Sequence, residues 1–338
     1  MRPGPHCVHV IVAVTGANGF IGSHLAETYA REGHDVRALM RRGRVLPADV
    51  REVERLRAVP VDYDDARDLR RVLSDADLVI HAAGATRAPP PARLGLMRAN
   101  VGITRRIARA VAPSSAKLVF ISSQAASGPA SSAARPVRES DQPAPIEAYG
   151  SSKHEAERAM AEELDRTRWT VVRPVAVYGP RERDFVALFR AARRGFAVHP
   201  GNRHQSIAMV HVDDLVRAIM AAAREPLAMG RRYFIGNAEP ITWRELFRAA
   251  AEASDARIRV DVQIPGLVVD LIARGGDLRA RITREPGLLT TQKVALAKPR
   301  WWHCSVDAAR SDLGYVSRIP LADGLRATYA WYRQAGWL

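Results

Sequence analysis

This chain predicts an α/β fold: a doubly wound parallel sheet with a smaller, mostly helical C-terminal portion. Three observations carry that reading. Short β-branched runs alternate with helical patterns through the first half of the chain. A glycine turn, Thr15-Gly16-Ala17-Asn18-Gly19-Phe20-Ile21-Gly22, joins the first such pair, and Tyr149 and Lys153 stand four residues apart in a later helical segment. Strand–helix alternation implies right-handed crossovers and a sheet covered on both faces. Ligands of such a sheet bind beyond the carboxyl ends of its strands.

Residues 8–14 form a short, β-branched apolar run, as expected of a buried parallel strand. The glycine turn follows directly. In the helix after it Ile21, Leu25 and Tyr29 share a face, and Gly33 reads as the stop. Gly16 permits the tight turn, Gly19 lets the backbone approach a pyrophosphate, and Gly22 lets the helix pack close to the strand. The spacing is G-x-x-G-x-x-G. Further strands are expected at 36–40, 58–61, 78–81, 117–121 and 170–173, with helices at 65–73, 94–111 and from 147 to about 164. The stretch 125–145, rich in Ser, Ala and Pro, reads as a loop over the sheet edge.

Only four of the 51 basic residues are lysines, and one of them, Lys153, is four residues after Tyr149. On a helix, i and i+4 share a face, so the ammonium is expected beside or beneath the phenol. At about 4 Å and an effective dielectric of about 20, a positive charge stabilises a phenolate by roughly 4 kcal/mol. That is about three pKa units, enough to bring a tyrosine from about 10 to about 7.

With both motifs in place, the chain resembles an extended short-chain dehydrogenase/reductase of the NAD-dependent epimerase/dehydratase superfamily, a Rossmann-type fold. The similarity runs over nearly the whole chain. It rests on the glycine turn, Asp62-Tyr63, His81-Ala82-Ala83-Gly84, Asn100, Phe120-Ile121-Ser122-Ser123, Tyr149 to Lys153, Arg173-Pro174, Tyr178-Gly179-Pro180, His211-Val212-Asp213-Asp214 and the closing Trp331-Tyr332-Arg333. The resemblance implies that Tyr149 is the acid/base and that Lys153 lowers its pKa and binds the nicotinamide ribose. It implies Ser123, five residues before Gly128, as the hydroxyl partner, with Ser122 a near neighbour. Asn100 would hold the helix that positions Lys153. The cofactor would lie on Gly16, Asn18, Gly19, Phe20, Ile21 and Gly22, with Asp62 and Tyr63 towards the adenine, Ala82, Ala83 and Gly84 along its path, and Pro174 lining the nicotinamide.

Where NAD-specific relatives end the second strand with an acid, this chain reads Leu39-Met40-Arg41-Arg42. Met40 cannot accept ribose hydrogen bonds, whereas Arg41 and Arg42 can clamp a 2′-phosphate, which favours NADP(H) over NAD(H). Relatives acting on nucleotide sugars commonly carry an arginine where this chain has Ile207 and an asparagine where it has Ala176. The sequence around Ser122 to Pro129 looks instead like the 3β-hydroxysteroid dehydrogenase and dihydroflavonol reductase side of the superfamily. The expected activity is therefore ketone–alcohol interconversion on an apolar or lipid-like small molecule. A nucleotide-sugar epimerase or dehydratase is the enzymatic alternative. A non-catalytic nucleotide sensor or assembly factor is disfavoured by the intact Ser123, Tyr149 and Lys153.

The remaining features bound the answer. Residues 1–180, with 206–240 returning to them, are expected to form the nucleotide domain, and 181–205 with 241–338 the substrate portion. Cys7 and Cys304 lie far apart and suggest no disulfide framework, and no segment reaches spanning length, so a cytoplasmic protein is expected. A homodimer is compatible with the sequence. The net charge of +15 comes with Asp and Glu interleaved among the arginines, which argues against nucleic acid as partner. Residues 264–273, Ile-Pro-Gly-Leu-Val-Val-Asp-Leu-Ile-Ala, are expected to form a helix that lids the pocket rather than a peripheral membrane contact. Trp301 to Cys304 reads as packing, with no metal set, and His211 with Asp213 and Asp214 as a helix cap.

Overall fold

The computed structural model describes residues 9–88, 92–199, 201–283 and 291–338, leaving aside the side chains of 280–283, 292 and 293; Cys7 and Val8 lie outside this range. In chain order the first half holds β1 (Ile11–Thr15), α1 (Phe20–Arg31), β2 (Asp35–Arg41), β3 (Leu56–Val61), α2 (Ala66–Leu73), β4 (Leu78–His81), α3 (Ala92–Leu96), α4 (Ile103–Val111), β5 (Lys117–Ile121), α5 (Ala148–Glu163) and β6 (Trp169–Pro174). The second half holds β7 (Ala176–Tyr178), α6 (Val186–Arg193), β8 (Phe196–His199), β9 (Ser206–Ile207), β10 (Met209–His211), α7 (Val212–Arg224), β11 (Arg232–Ile235), β12 (Ile241–Thr242), α8 (Trp243–Glu252), β13 (Val260–Gln263), α9 (Gly266–Thr283), α10 (Thr291–Ala297), β14 (Trp301–Trp302), α11 (Asp307–Leu313) and α12 (Leu321–Gln334).

Seven of these strands form one parallel sheet in the order β11-β6-β5-β4-β1-β2-β3. The order reverses between β1 and β4, which opens a crevice at their carboxyl ends. Strand alternation sorts the core into two layers. Val12 and Val14 join a cluster under α1, α7 and α11, while Ala13 between them joins one under α2, α4 and α5. The predicted strands and helices appear within a residue or two of their expected bounds, except that β1 begins only at Ile11 and α9 runs on past 273 to Thr283. Two differences have local causes. The 94–111 helix is broken by a π-helical turn at Met97–Gly102, and β11, too short and mixed to show in the sequence, closes the sheet beside β6.

A third cluster, built on Tyr178, Phe189, Ile207, Phe247, Leu325 and Tyr332, lies under α6, α8 and α12. Cys304, Val306, Ala309 and Tyr315 pack into the first cluster, so the chain crosses back to the nucleotide side late in the sequence. Trp301 and Trp302 form β14 against β9 and pack as expected, Trp302 on the third cluster under α12 and Trp301 on the first cluster, which includes Ala309 of α11. Asp214 anchors this return: fully buried, it accepts from Ser317 Oγ and from the Arg318 and Ile319 amides at 3.0–3.1 Å. His211 caps α7 by accepting from the Asp213 amide at 3.3 Å. The lid expectation for 264–273 is not met. Val269 and Ala273 of α9 are buried against Val294, but Leu267 and Leu271 on the opposite side are 86% and 72% exposed. Among the described residues no helix is long and apolar enough to cross a membrane.

Candidate active site

The site assembles where the sheet order reverses. Gly16 has φ +68°, and a Cβ there would lie 2.8 Å from the Ala83 backbone, so β1 and the strand end at Ala82-Ala83-Gly84 meet across a bare turn. A Cβ on Gly22 would fall 2.2 Å from the Gly16 carbonyl oxygen. Gly19 N donates to that same carbonyl at 2.9 Å. No side chain caps α1 and its first turn holds no acid, which leaves its amides to an anion. Asn18, Gly19 and Phe20 line a cleft of about 870 Å³, opposite Arg181, Trp331 and Trp337. Ile21 packs on the core beside it.

At the far side of the turn a second cleft, about 480 Å³, is lined by Arg41, Arg42, Asp62, Tyr63, Arg98 and Ile103. Tyr63 is a strut rather than a free surface: its hydroxyl accepts from the Gly16 amide and donates to the Leu39 carbonyl, both at 3.1 Å. Met40 is only 2% exposed and packs in the core, so the residue presented at the end of β2 is Arg41. Arg42 lies 3.6 Å from Asp68. Asp64 is held below the usual carboxylate range by the Arg106 hydrogen bond, then by the charges of Arg106, Arg98 and Arg41. Arg41 and Arg98 therefore both act on Asp64, while Arg42 acts on Asp68.

Tyr149 and Lys153 enter on α5. Glu147 caps that helix, accepting from the Tyr149 amide at 2.5 Å and from the Gly150 amide. Gly150 lets α5 press onto the turn at Gln124–Ala126, because a Cβ there would sit 2.3 Å from the Ala125 carbonyl oxygen. That turn carries Ser123, whose hydroxyl accepts from the Ala125 amide at 3.2 Å and hydrogen-bonds Tyr149. Burial pushes the Tyr149 phenol up to about 12, opposed by this bond to Ser123. The expected depression towards 7 is absent. Lys153, itself 5% exposed, donates to the Ile121 carbonyl at 2.6 Å and lies 4.2 Å over the Phe120 ring. Burial lowers its own pKa to about 7, so near neutrality it holds its proton only in part and supports a phenolate weakly.

Asn100, 1% exposed, sits in the π-helical turn. Its amide nitrogen donates to Ser152 Oγ at 2.8 Å and the Ala85 carbonyl at 3.0 Å, and its oxygen accepts from the Ala85 amide at 2.8 Å. It thus ties the strand-end loop to α5 one residue before Lys153; π-turns often occur at such sites. His81 is fully buried between Thr15 Oγ1 (2.8 Å) and Thr104 Oγ1 (2.9 Å), and burial lowers its pKa to about 3. Pro174 is buried at the end of β6, paired with Ile235.

Sequence reasoning passed over Glu157 as a support for this site. It is fully buried on α5 and accepts from Arg173 at 2.9 and 2.6 Å, from Arg232 at 3.0 Å and from Ser122 at 2.5 Å. Its signal was its place: Tyr149, Lys153 and Glu157 recur every four residues on one helix face.

A model of the NAD dependent epimerase/dehydratase family matches residues 12–236. The chain is 30% identical to a ceramide reductase of Caulobacter vibrioides, over 97% of this chain and 96% of that one. It is 28% identical to a 2-alkyl-3-oxoalkanoate reductase of Stenotrophomonas maltophilia, over 93% and 97%. Among solved structures, MoeE5 in complex with UDP-glucose and NAD superposes with a TM-score of 0.76 at 26% identity, covering 96% of this chain and 99% of that one.

Proposed function

Because the chain belongs to the NAD-dependent epimerase/dehydratase family and is an NAD(P)-dependent enzyme of the short-chain dehydrogenase/reductase type, we propose that it interconverts a ketone and a secondary alcohol on an apolar, lipid-like substrate. The glycine turn fits a dinucleotide, since Gly16 and Gly22 leave a cradle that any Cβ would fill. When bound, the nicotinamide supplies or accepts the hydride. Lys153 would hold its ribose, and Arg41 with Arg42 would clamp a 2′-phosphate, favouring NADP(H). Tyr149 gives or takes the proton at the substrate oxygen, and Ser123 donates a hydrogen bond to that oxygen as it gains charge. Asn100 positions this set through Ser152.

Ile207 carries the substrate reading. It is 6% exposed within the third cluster, so the position where nucleotide-sugar relatives carry an arginine offers no donor to a diphosphate. Two relatives named as reductases, one of ceramide and one of 2-alkyl-3-oxoalkanoate, support it. The second reading, a nucleotide-sugar epimerase or dehydratase, draws on MoeE5 and on Arg203 and Arg244, which flank Asp261 at 3.8 and 2.8 Å. Thermal stabilisation separates the two. With NADP(H) present, a long-chain 3-oxo compound is expected to raise the unfolding free energy by about 2.7 kcal/mol at a hundred-fold excess over its Kd. UDP-glucose is expected to leave it unchanged, and turnover of UDP-glucose would overturn the assignment.

A further inference from the structure

The lobe at the far end of the third cluster is built inside out. In the β8–β13 ribbon, Phe196 and Val198 lie opposite Val260 and Val262, and all four are 38–46% exposed. The residues between them, Ala197, His199 and Asp261, face inward, with His199 Nε2 3.1 Å from Asp261. Strands with one buried face normally turn their apolar side chains to the core. The ribbon runs through Ile264 and Pro265 directly into α9, and the Ile264 amide extends the ladder by donating to His199 O at 2.9 Å. On α9 the helical spacing places Leu267, Leu271 and Leu278 on one face, with Val268 and Ile272 beside it, all exposed. The opposite face, at Val269 and Ala273, is also apolar and already buried. Only one of the two apolar faces of α9 is covered within the chain, which leaves the other open to a partner. Nine of the fourteen exposed large apolar side chains among the described residues belong to this one lobe.

The charge around the patch selects the partner. Arg193, Arg194, Arg257 and Arg259 are exposed where the two strands begin, and Arg274 is exposed on α9. The acids of the ribbon and of α9 are engaged elsewhere: Asp261 pairs with His199 and Arg244, Asp270 lies 4.0 Å from Lys298, and Asp277 accepts from Thr291 at 2.6 Å. An apolar face rimmed by arginines, on a chain of net charge +15, matches an interface of acyl chains below anionic headgroups. A protein partner or a second copy of this chain would have to bring acids to meet the same rim. We infer that the β8–β13 ribbon and the outer face of α9 dock on the surface of an anionic phospholipid bilayer. This holds whichever carbonyl compound the active site takes.

Co-sedimentation of the full chain with extruded vesicles tests it. At low salt the parent is expected to partition onto vesicles of phosphatidylcholine with about a third phosphatidylglycerol, and about tenfold or more weakly onto pure phosphatidylcholine. Raising the salt should release it. L267S/L271S should reduce partitioning onto the anionic vesicles by about tenfold or more. R257E/R259E should do the same, while thermal midpoint and NADP(H) binding stay at the parent values. Parent protein left in the supernatant overturns the inference, as does a Leu-to-Ser variant that binds as well as the parent. A parent that light scattering shows as a dimer, reverting to monomer in L267S/L271S without any vesicle binding, would assign the patch to self-association instead.

Discussion

Ser122 Oγ donates to Glu157 Oε1 at 2.5 Å in a fully enclosed pocket, while its neighbour Ser123 turns to Tyr149. Adjacent residues at a strand end face opposite ways, so two like hydroxyls serve two purposes. Ser123→Ala is expected to cut turnover by about 10²-fold while leaving the thermal midpoint nearly unchanged. Ser122→Ala should cost about 1 kcal/mol of stability and leave turnover within a few-fold. Steady-state kinetics and denaturant unfolding on both variants check this; a reversed pattern would reassign the serines.

Tyr149→Phe keeps the ring and removes only the transferable proton. Turnover should fall by about 10²–10⁴-fold. The NADP(H) dissociation constant should hardly move, because the glycine turn and Lys153 are untouched. Full turnover in this variant would leave only a binding role for the site.

Arg41, not Met40, is the place to change cofactor preference. Met40→Asp would bury a carboxylate in the core, whereas Arg41 stands exposed at the strand end. Arg41→Asp should weaken NADPH by about 10–100-fold, the equivalent of one charge-assisted hydrogen bond, and bring NADH level or ahead. Equal affinity of the parent for the two cofactors, measured by titration, would sink the NADP(H) assignment.

His81 gives the fold an acid limit. Burial, then the charge of Lys153, lowers its pKa from 6.5 to about 3. A group with a depressed folded pKa binds fewer protons in the native state, so its contribution is complete above about 6.5 and is lost as pH falls towards 3. Within that window it should remove about 1.4 kcal/mol per pH unit. Urea midpoints between pH 7 and 4 should fall more steeply for the parent than for His81→Asn, and parallel slopes would reject the account.

Glu157 and Arg173 form a fully buried pair. Burial works against the Glu157 charge, but the Arg173 hydrogen bonds and charge, together with the Ser122 hydrogen bond and the Arg232 charge, more than offset it and keep the carboxyl below its ordinary value. Glu157→Ala strands the arginine and should cost about 3–5 kcal/mol. The double change Glu157→Leu with Arg173→Met should recover much of that loss. A double variant as unstable as the single one would show that Ser122, Ser127 and Arg232, not the pair, dominate.

The sequence alone determined the sheet, the glycine turn and the pairing of Tyr149 with Lys153, because each is local. Period-two and period-3.6 patterns set the elements, Gly16 can take the left-handed turn unaided, and residues four apart on a helix share a face. The tertiary structure decided what depends on residues far apart in the chain. It buried Met40 and exposed Arg41, turned Ser122 to Glu157 and Ser123 to Tyr149, and closed the sheet with β11. It also moved the two pKa values away from the simple expectation. Desolvation raised Tyr149 and lowered Lys153, and burial is a property of everything packed around a group, not of its neighbours in sequence. For the same reason residues 264–273 gave a helix from local pattern, while its outward apolar face was settled only by which surfaces the rest of the chain came to cover.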